Sequence, residues 1–369
     1  MTLPEQSVLQ AVTRIELYRV RSPLATPVRT AHGVQRERDV IVLAARDVEG
    51  RTGWGECVAM NRPGYSSEYT EGAAHVLTHH LVPNVMAGEP MSSVAGHPMA
   101  KAALEMALLD LALRRSSRSL TAELGGHGRP VVVGAVVGLT SDVASLMAEV
   151  DRLVEDGYTR IKVKVRPGWD RVPLAAVRTA HPELDLWADA NGEYGPDDLV
   201  ALCGLDDLEL GLIEQPFDAD ELLLHATLAE AAETPVCLDE SIVSPGTLRV
   251  AIELGAIDVL NLKPGRVGGL RAALHLLDIC RGHGIDVWCG GMLETGIGRA
   301  ANLALATVPG MTLPGDLSAS ARYFLRDLTA PFELGPGGTL TPPSGFGLGL
   351  GPDPDALAAM AISIRTIHP

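Results

Sequence analysis

The chain has 369 residues, 30 of them Lys or Arg and 46 Asp or Glu, for a formal charge of −16 at neutral pH. That length exceeds what one hydrophobic core usually organises, so a large domain with a smaller companion is expected. The acidic balance, without basic clusters or interleaved aromatic and basic residues, argues against nucleic acid and anionic membrane as partners.

Residues 1–5, Met-Thr-Leu-Pro-Glu, lack the basic patch and apolar stretch of a signal peptide. No apolar run approaches the roughly 18 residues that a membrane span needs. Five cysteines, Cys57, Cys203, Cys237, Cys280 and Cys289, form no CxxC pair and sit largely inside apolar runs, as buried thiols do. A cytoplasmic protein is expected.

Residues 12–48 alternate like antiparallel strands, with Ile15, Leu17 and Val20 in one and residues 40–44 in the next. A polar loop over 26–38 is expected between them, and a second loop over 57–68, rich in Pro, Gly and Ser. From Ser67 to about Gly125 the period becomes helical, with Ala103, Met106, Ala107, Leu109, Asp110 and Leu113 on one strong helix. These elements define an α+β capping domain over residues 1–128.

At Pro130 the pattern changes. Eight strand candidates follow, at 131–137, 161–165, 184–189, 210–214, 236–239, 259–262, 287–289 and, more weakly, 311–313, with helical stretches between them. Strands alternating with helices over about 185 residues fit a (β/α)8 TIM-type barrel better than a doubly wound sheet, here placed at 129–320. Residues 321–369, rich in Gly and Pro, are expected to return to the cap.

Asp189, Glu214 and Asp239 stand 25 residues apart, each ending an apolar run, with Lys164 25 residues before the first and Lys263 24 after the last. About 25 residues is what one strand, one helix and two short loops consume, so the spacing brings five charged side chains to one edge of one parallel sheet. Three converging carboxylates repel one another unless a cation joins them. Hard oxygen ligands on rigid strand ends, with no His or Cys set nearby, suit Mg²⁺ rather than zinc, and Mn²⁺ is an acceptable substitute.

Lys162 and Lys164 share a strand face, where mutual repulsion and a metal ion would depress a lysine pKa and make a base. Asn191 and Glu240 read as neighbours of the ligands. Lys263 lies across the barrel from Lys164, so two bases can address opposite faces of one carbon. Gly296-x-Gly298 lacks the third glycine of a dinucleotide fingerprint and reads as a tight turn.

Lys162-Val163-Lys164, Asp189-Ala190-Asn191, Ile213-Glu214-Gln215-Pro216, Leu238-Asp239-Glu240-Ser241 and Asn261-Leu262-Lys263, followed by the segment 289–298, resemble the enolase superfamily, muconate-lactonizing-enzyme subgroup. Within it the likeness is to the o-succinylbenzoate synthase and N-acylamino acid racemase family. Trp54-Gly55-Glu56-Cys57, Tyr65-Ser66-Ser67-Glu68 and Leu313-Pro314-Gly315-Asp316 extend it over nearly the whole chain.

The resemblance implies metal-assisted removal of the proton α to a carboxylate of a small-molecule substrate, giving an enediolate. Lys164 and Lys263 match the acid/base pair, and Asp189, Glu214 and Asp239 the metal ligands. Gly291, Met292 and Leu293 match residues near the substrate. So do His32, Met60 and Tyr65, in cap loops around 30–33 and 60–65 that close over it. A homo-oligomer is expected. Dehydration to o-succinylbenzoate and racemization of N-acyl amino acids share this machinery. Dipeptide epimerization and muconate cycloisomerization are alternatives within the class, and a barrel retained only for binding is one outside it. One residue departs from the pattern: Val136 stands where a serine is expected to contact substrate.

Overall fold

β1 (Val12–Thr30) and β2 (Gly33–Asp47) form one long antiparallel hairpin, continued by β3 (Thr52–Cys57). The computed structural model describes residues 11–30 and 33–368, so the expectation for His32 lies outside the described residues. Ile15, Leu17, Ile41 and Leu43 turn one face of this sheet into a core closed by Ala103, Leu104, Ala107, Leu108 and Leu111 of a helix. That helix, α2 (Pro98–Arg115), follows the shorter α1 (Thr70–Val76). It lies so close that a Cβ at Gly53 or Gly55 would strike its backbone, which is why glycine flanks Trp54.

The polar loop expected over 26–38 is a strand pair instead. The ladder runs on through Val28↔Gln35 to Thr30↔Gly33, since backbone pairing does not require apolar side chains. Its register shifts between Pro23 and Val28, where two prolines lack donors. There Leu24 bridges to Phe324 and Ala25 N–H donates to Tyr323 O at 2.8 Å.

The second unit is a parallel sheet of β4 (Ala135–Val137), β5 (Arg160–Lys164), β6 (Asp185–Asp189), β7 (Ile213–Glu214), β8 (Val236–Leu238), β9 (Val259–Leu262) and β10 (Asp286–Cys289), in sequential order. Outward residues such as Ile161, Val163, Leu186, Ala188, Leu238 and Leu260 pack against the intervening helices in one large core. Period-two alternation then turns Arg160, Lys162, Lys164, Trp187, Asp189, Glu214, Asn261 and Trp288 inward, all of them outside that apolar core.

Seven strands form the sheet, not eight. The candidate at 311–313 is irregular, with Thr312 N–H and Leu313 N–H both donating to Val287 O at 2.9 and 3.2 Å. Gly134 N–H then donates to Gly315 O at 2.8 Å, so the segment closes the ring between β10 and β4 without a regular ladder. Pro314, with no N–H, breaks the donor pattern there. The candidate at 131–137 is interrupted before β4, and only Ile213–Glu214 of 210–214 is a strand.

The chain ends in β11 (Ala361–Ile367), antiparallel to β1 in the first sheet. All five cysteines are free. Among the described residues no helix is long and apolar enough to cross a membrane.

Candidate active site

Register brings the charged residues together. Lys164 pairs with Asp189 and Asp189 with Glu214 across β5, β6 and β7, so their side chains stand side by side at the carboxyl edge of the sheet. Lys164 Nζ lies 2.7 Å from Asp189 Oδ2 and also bonds Asn191 Oδ1, whose amide in turn donates to Glu240 Oε1 at 3.1 Å. Lys263, just past β9, lies 2.7 Å from Asp239 Oδ2 on the other side of the set. Tyr65 OH reaches down from the cap to Asp239 Oδ1 at 2.9 Å. Asn261 Nδ2 donates to Glu214 Oε1 at 2.6 Å.

The two lysines of Lys162-Val163-Lys164 do not act alike. Lys164 is 13% exposed at the mouth, whereas Lys162 is 3% exposed and sits below it, bonded to Glu214, 2.6 Å from Asp316 Oδ2 and 4.6 Å from the centre of the Trp288 ring. Beneath it Arg160 Nη1 holds Asp316 Oδ1 at 2.5 Å and stacks 4.2 Å from the Trp187 ring. A Cβ at Gly134 would collide with this guanidinium, so glycine makes room for it.

Burial favours the neutral form of Lys162, but Asp316, Glu214 and Asp189 overcome it and hold the ammonium well above the ordinary lysine range. Lys263 is likewise held high against burial, by Tyr65, Glu214 and Glu240. Burial opposes the Asp189 charge, yet Lys164 and Lys162 keep its carboxyl well below the usual range. Asp316 is held at about 2 by Arg160 and Lys162 despite burial.

The backbone is locked around these groups. Gln215 and Asn191 are non-glycine residues in the left-handed region, at φ +39° and +46°. The Gln215 side-chain oxygen accepts from Asp239 N–H at 3.0 Å and Ser241 N–H at 3.2 Å, tying the ends of β7 and β8 together.

Among the described residues, no three metal-binding side chains are arranged to hold an ion as they stand, because Lys162, Lys164, Lys263 and Arg266 take up the carboxylate oxygens. The donor set still fits a hard divalent cation. It is oxygen only, it comes from the ends of consecutive strands, and Glu240 Oε2 beside it is buried without a hydrogen-bond partner.

Met60 and Tyr65 are half-buried against the cap core, Gly291 and Leu293 are half-buried, and Met292 is fully buried within that core. Val136 pairs in register with Lys162 and so shares its inward face. Sequence reading assigned no role to Arg160, Asp316, Arg266 or Asn261. Arg160 was findable, since it lies two residues before Lys162 on the same strand face. Arg266 bonds Asp239 and approaches Tyr65 OH at 3.3 Å.

Two measurable consequences follow from the buried charges. Asp316→Asn leaves Arg160 and Lys162 short of a counter-charge, which costs about 3–5 kcal/mol in urea unfolding without metal. A loss below ~1 kcal/mol would contradict this charge ladder. Burial raises Glu56 of β3 to about 7, from an ordinary 4.5. Between pH ~4.5 and ~7 the folded protein therefore retains a proton that the unfolded chain has lost, so stability falls as pH rises through that window and levels off above it. Glu56→Gln should remove this slope from a plot of denaturation midpoint against pH, and identical slopes in both proteins would refute the assignment.

A parallel barrel with an antiparallel cap, carrying lysines and carboxylates at the ends of consecutive strands, defines an enolase-superfamily enzyme. The chain belongs to the mandelate racemase / muconate lactonizing enzyme family: that family's N-terminal domain matches residues 13–125, and the enolase C-terminal domain-like family matches 145–356. Membership implies a divalent metal. The chain is 48% identical to an N-succinylamino acid racemase of an Amycolatopsis species, covering 90% of this chain and 93% of the relative. It is 40% identical to the o-succinylbenzoate synthase of Bacillus subtilis, covering 87% and 88%. The crystal structure of an enolase-superfamily member from Listeria innocua superposes with a TM-score of 0.93 at 35% identity, over 97% of this chain and 99% of the other.

Proposed function

We propose that this enzyme uses Mg²⁺, replaceable by Mn²⁺, to remove the α-proton of a carboxylate substrate, racemizing N-succinylamino acids, dehydrating the cyclohexadiene precursor to o-succinylbenzoate, or both. The observation that carries this reading is the placement of Lys164 beside Asp189 and Lys263 beside Asp239, on opposite sides of one carboxylate set. Asp189, Glu214 and Asp239 would hold a divalent cation, which would supply positive charge against the substrate carboxylate. Lys164 and Lys263 take and return the proton from either face, and Lys162 adds a fixed positive charge below. In racemization the second lysine delivers a proton to the face opposite the first. In dehydration one lysine removes the α-proton, and its ammonium then gives that proton to the departing hydroxyl, which leaves as water as the C–O bond breaks.

The same reading takes residues 1–128 as cap, 129–320 as catalytic barrel and 321–369 as the segment returning to the cap, supported by the pairing of β11 with β1. It includes a cytoplasmic homo-oligomer. The test incubates single enantiomers of N-succinylamino acids with enzyme and Mg²⁺ and follows optical rotation, with a parallel absorbance assay for dehydration. Absence of both activities in the metal-loaded protein would refute it.

Substrate ranking gives a finer test. If Val136 faces substrate, Val136→Ser should shift the relative kcat/KM of N-acyl amino acids and the dehydration substrate by about one hydrogen bond, up to about tenfold. Metal affinity should not change. An unaltered ranking would place Val136 outside the pocket.

A further inference from the structure

A single guanidinium joins the two loops that face the site from above. Arg38 of β2 is 0% exposed. Its Nη1 and Nη2 donate to Ala59 O at 3.2 Å and Val58 O at 2.5 Å, and its Nε donates to Leu293 O at 3.3 Å. Val58 and Ala59 open the cap loop that carries Met60 and Tyr65. Leu293 closes the barrel segment 291–293.

On the neighbouring strand Glu56 is buried too, and accepts from Thr295 N–H at 2.9 Å, Thr295 Oγ1 at 2.7 Å and Gly298 N–H at 2.9 Å. Glu294 receives Met292 N–H and Asn302 Nδ2, both at 2.9 Å. Met292 itself is inserted in the cap core with Cys57, Val58 and Met99. The barrel segment is therefore anchored through cap residues as well as barrel residues.

Burying a guanidinium is costly, and an apolar side chain would fill the space more cheaply. What an apolar side chain cannot do is satisfy three main-chain carbonyls from two domains at once. Leu293, a branched residue, also stands at φ +58°, a left-handed conformation that persists only where its surroundings impose it. From the cap, Arg38 bonds the carbonyl of this residue.

We propose that Arg38 is a positioning residue that fixes segment 291–293 against the cap loop 58–65, holding the two segments in one register over the barrel mouth. This rests on the proposed function in so far as both loops face substrate. Arg38 touches no reacting atom; it acts through Leu293, Val58 and Ala59.

Arg38→Lys keeps the charge and loses the fork. In the full-length protein without substrate, amide hydrogen exchange measured by mass spectrometry should rise about tenfold or more in residues 58–69 and 291–295, with β5 to β9 unchanged. In metal-loaded enzyme, KM for N-succinylamino acids should rise about tenfold or more and kcat should change less than about threefold. If the lysine variant does not fold, Arg38→Gln, which retains amide donors, is measured in the same way. Wild-type exchange in both loops, exchange raised throughout the barrel, or a fall in kcat with KM unchanged would each overturn the proposal. Because the exchange measurement needs no substrate, it decides Arg38's role even if N-succinylamino acids prove not to be turned over, a result that would fault the functional reading instead.

Discussion

Replacing either Lys164 or Lys263 by alanine is expected to abolish racemization, lowering kcat/KM by about 10²–10⁴-fold, the usual contribution of a positioned acid or base. In the proposed mechanism each lysine serves one face of the α-carbon and racemization needs both, so neither variant should retain activity from the other. The two losses should differ in kind. A conservative change such as Lys263→Arg should still permit exchange of the α-proton in one enantiomer, because Lys164 remains beside Asp189 and addresses its own face. Lys164→Arg should spare the opposite enantiomer. Following loss of the α-proton signal of each pure enantiomer in D₂O measures this directly. Equal residual racemization in both alanine variants would exclude opposed bases.

Exhaustive chelation should remove all measurable turnover, and Mg²⁺ or Mn²⁺ should restore it. In this structure Lys162, Lys164, Lys263 and Arg266 bond the carboxylate oxygens that the cation would take. The fold should survive, since those ion pairs satisfy the buried charges. Glu214→Gln should weaken divalent binding by roughly a hundredfold, at least as much as loss of an outer-shell partner does, because Glu214 lies between Asp189 and the Asn261 amide. Titration calorimetry with Mn²⁺ reads the affinity, and circular dichroism checks the fold. Full activity in metal-free buffer would defeat the metal assignment.

The barrel was legible because its strands obey two rules at once. The outward side of each is apolar, and in β5 to β9 the strand end carries one charged residue at a nearly constant interval of about 25 residues. Those rules located β5 to β10 to within a few residues and gathered Lys164, Asp189, Glu214, Asp239 and Lys263. Other features escaped the same rules. The eighth barrel position is filled by a proline-containing segment held by single hydrogen bonds, which leaves no periodic pattern to read. The hairpin over 26–38 is built by backbone pairing, which side-chain polarity does not report. Arg38 shows the consequence: a charged residue in a polar run was assigned to a loop, yet it is wholly buried because three carbonyls from distant segments meet there. Asp316 was part of a recognised motif, but its partners Arg160 and Lys162 are 156 and 154 residues away, a convergence that only the closed barrel creates.

Abstraction of the proton α to a carboxylate is the step on which the proposed function depends. Wild-type enzyme with Mg²⁺ in D₂O, incubated with N-succinyl-L-phenylalanine and followed by proton NMR, tests it most directly. The α-proton signal should disappear, and both enantiomers of the deuterated product should be recovered. An α-proton signal that persists undiminished with the o-succinylbenzoate precursor also unconsumed would contradict it.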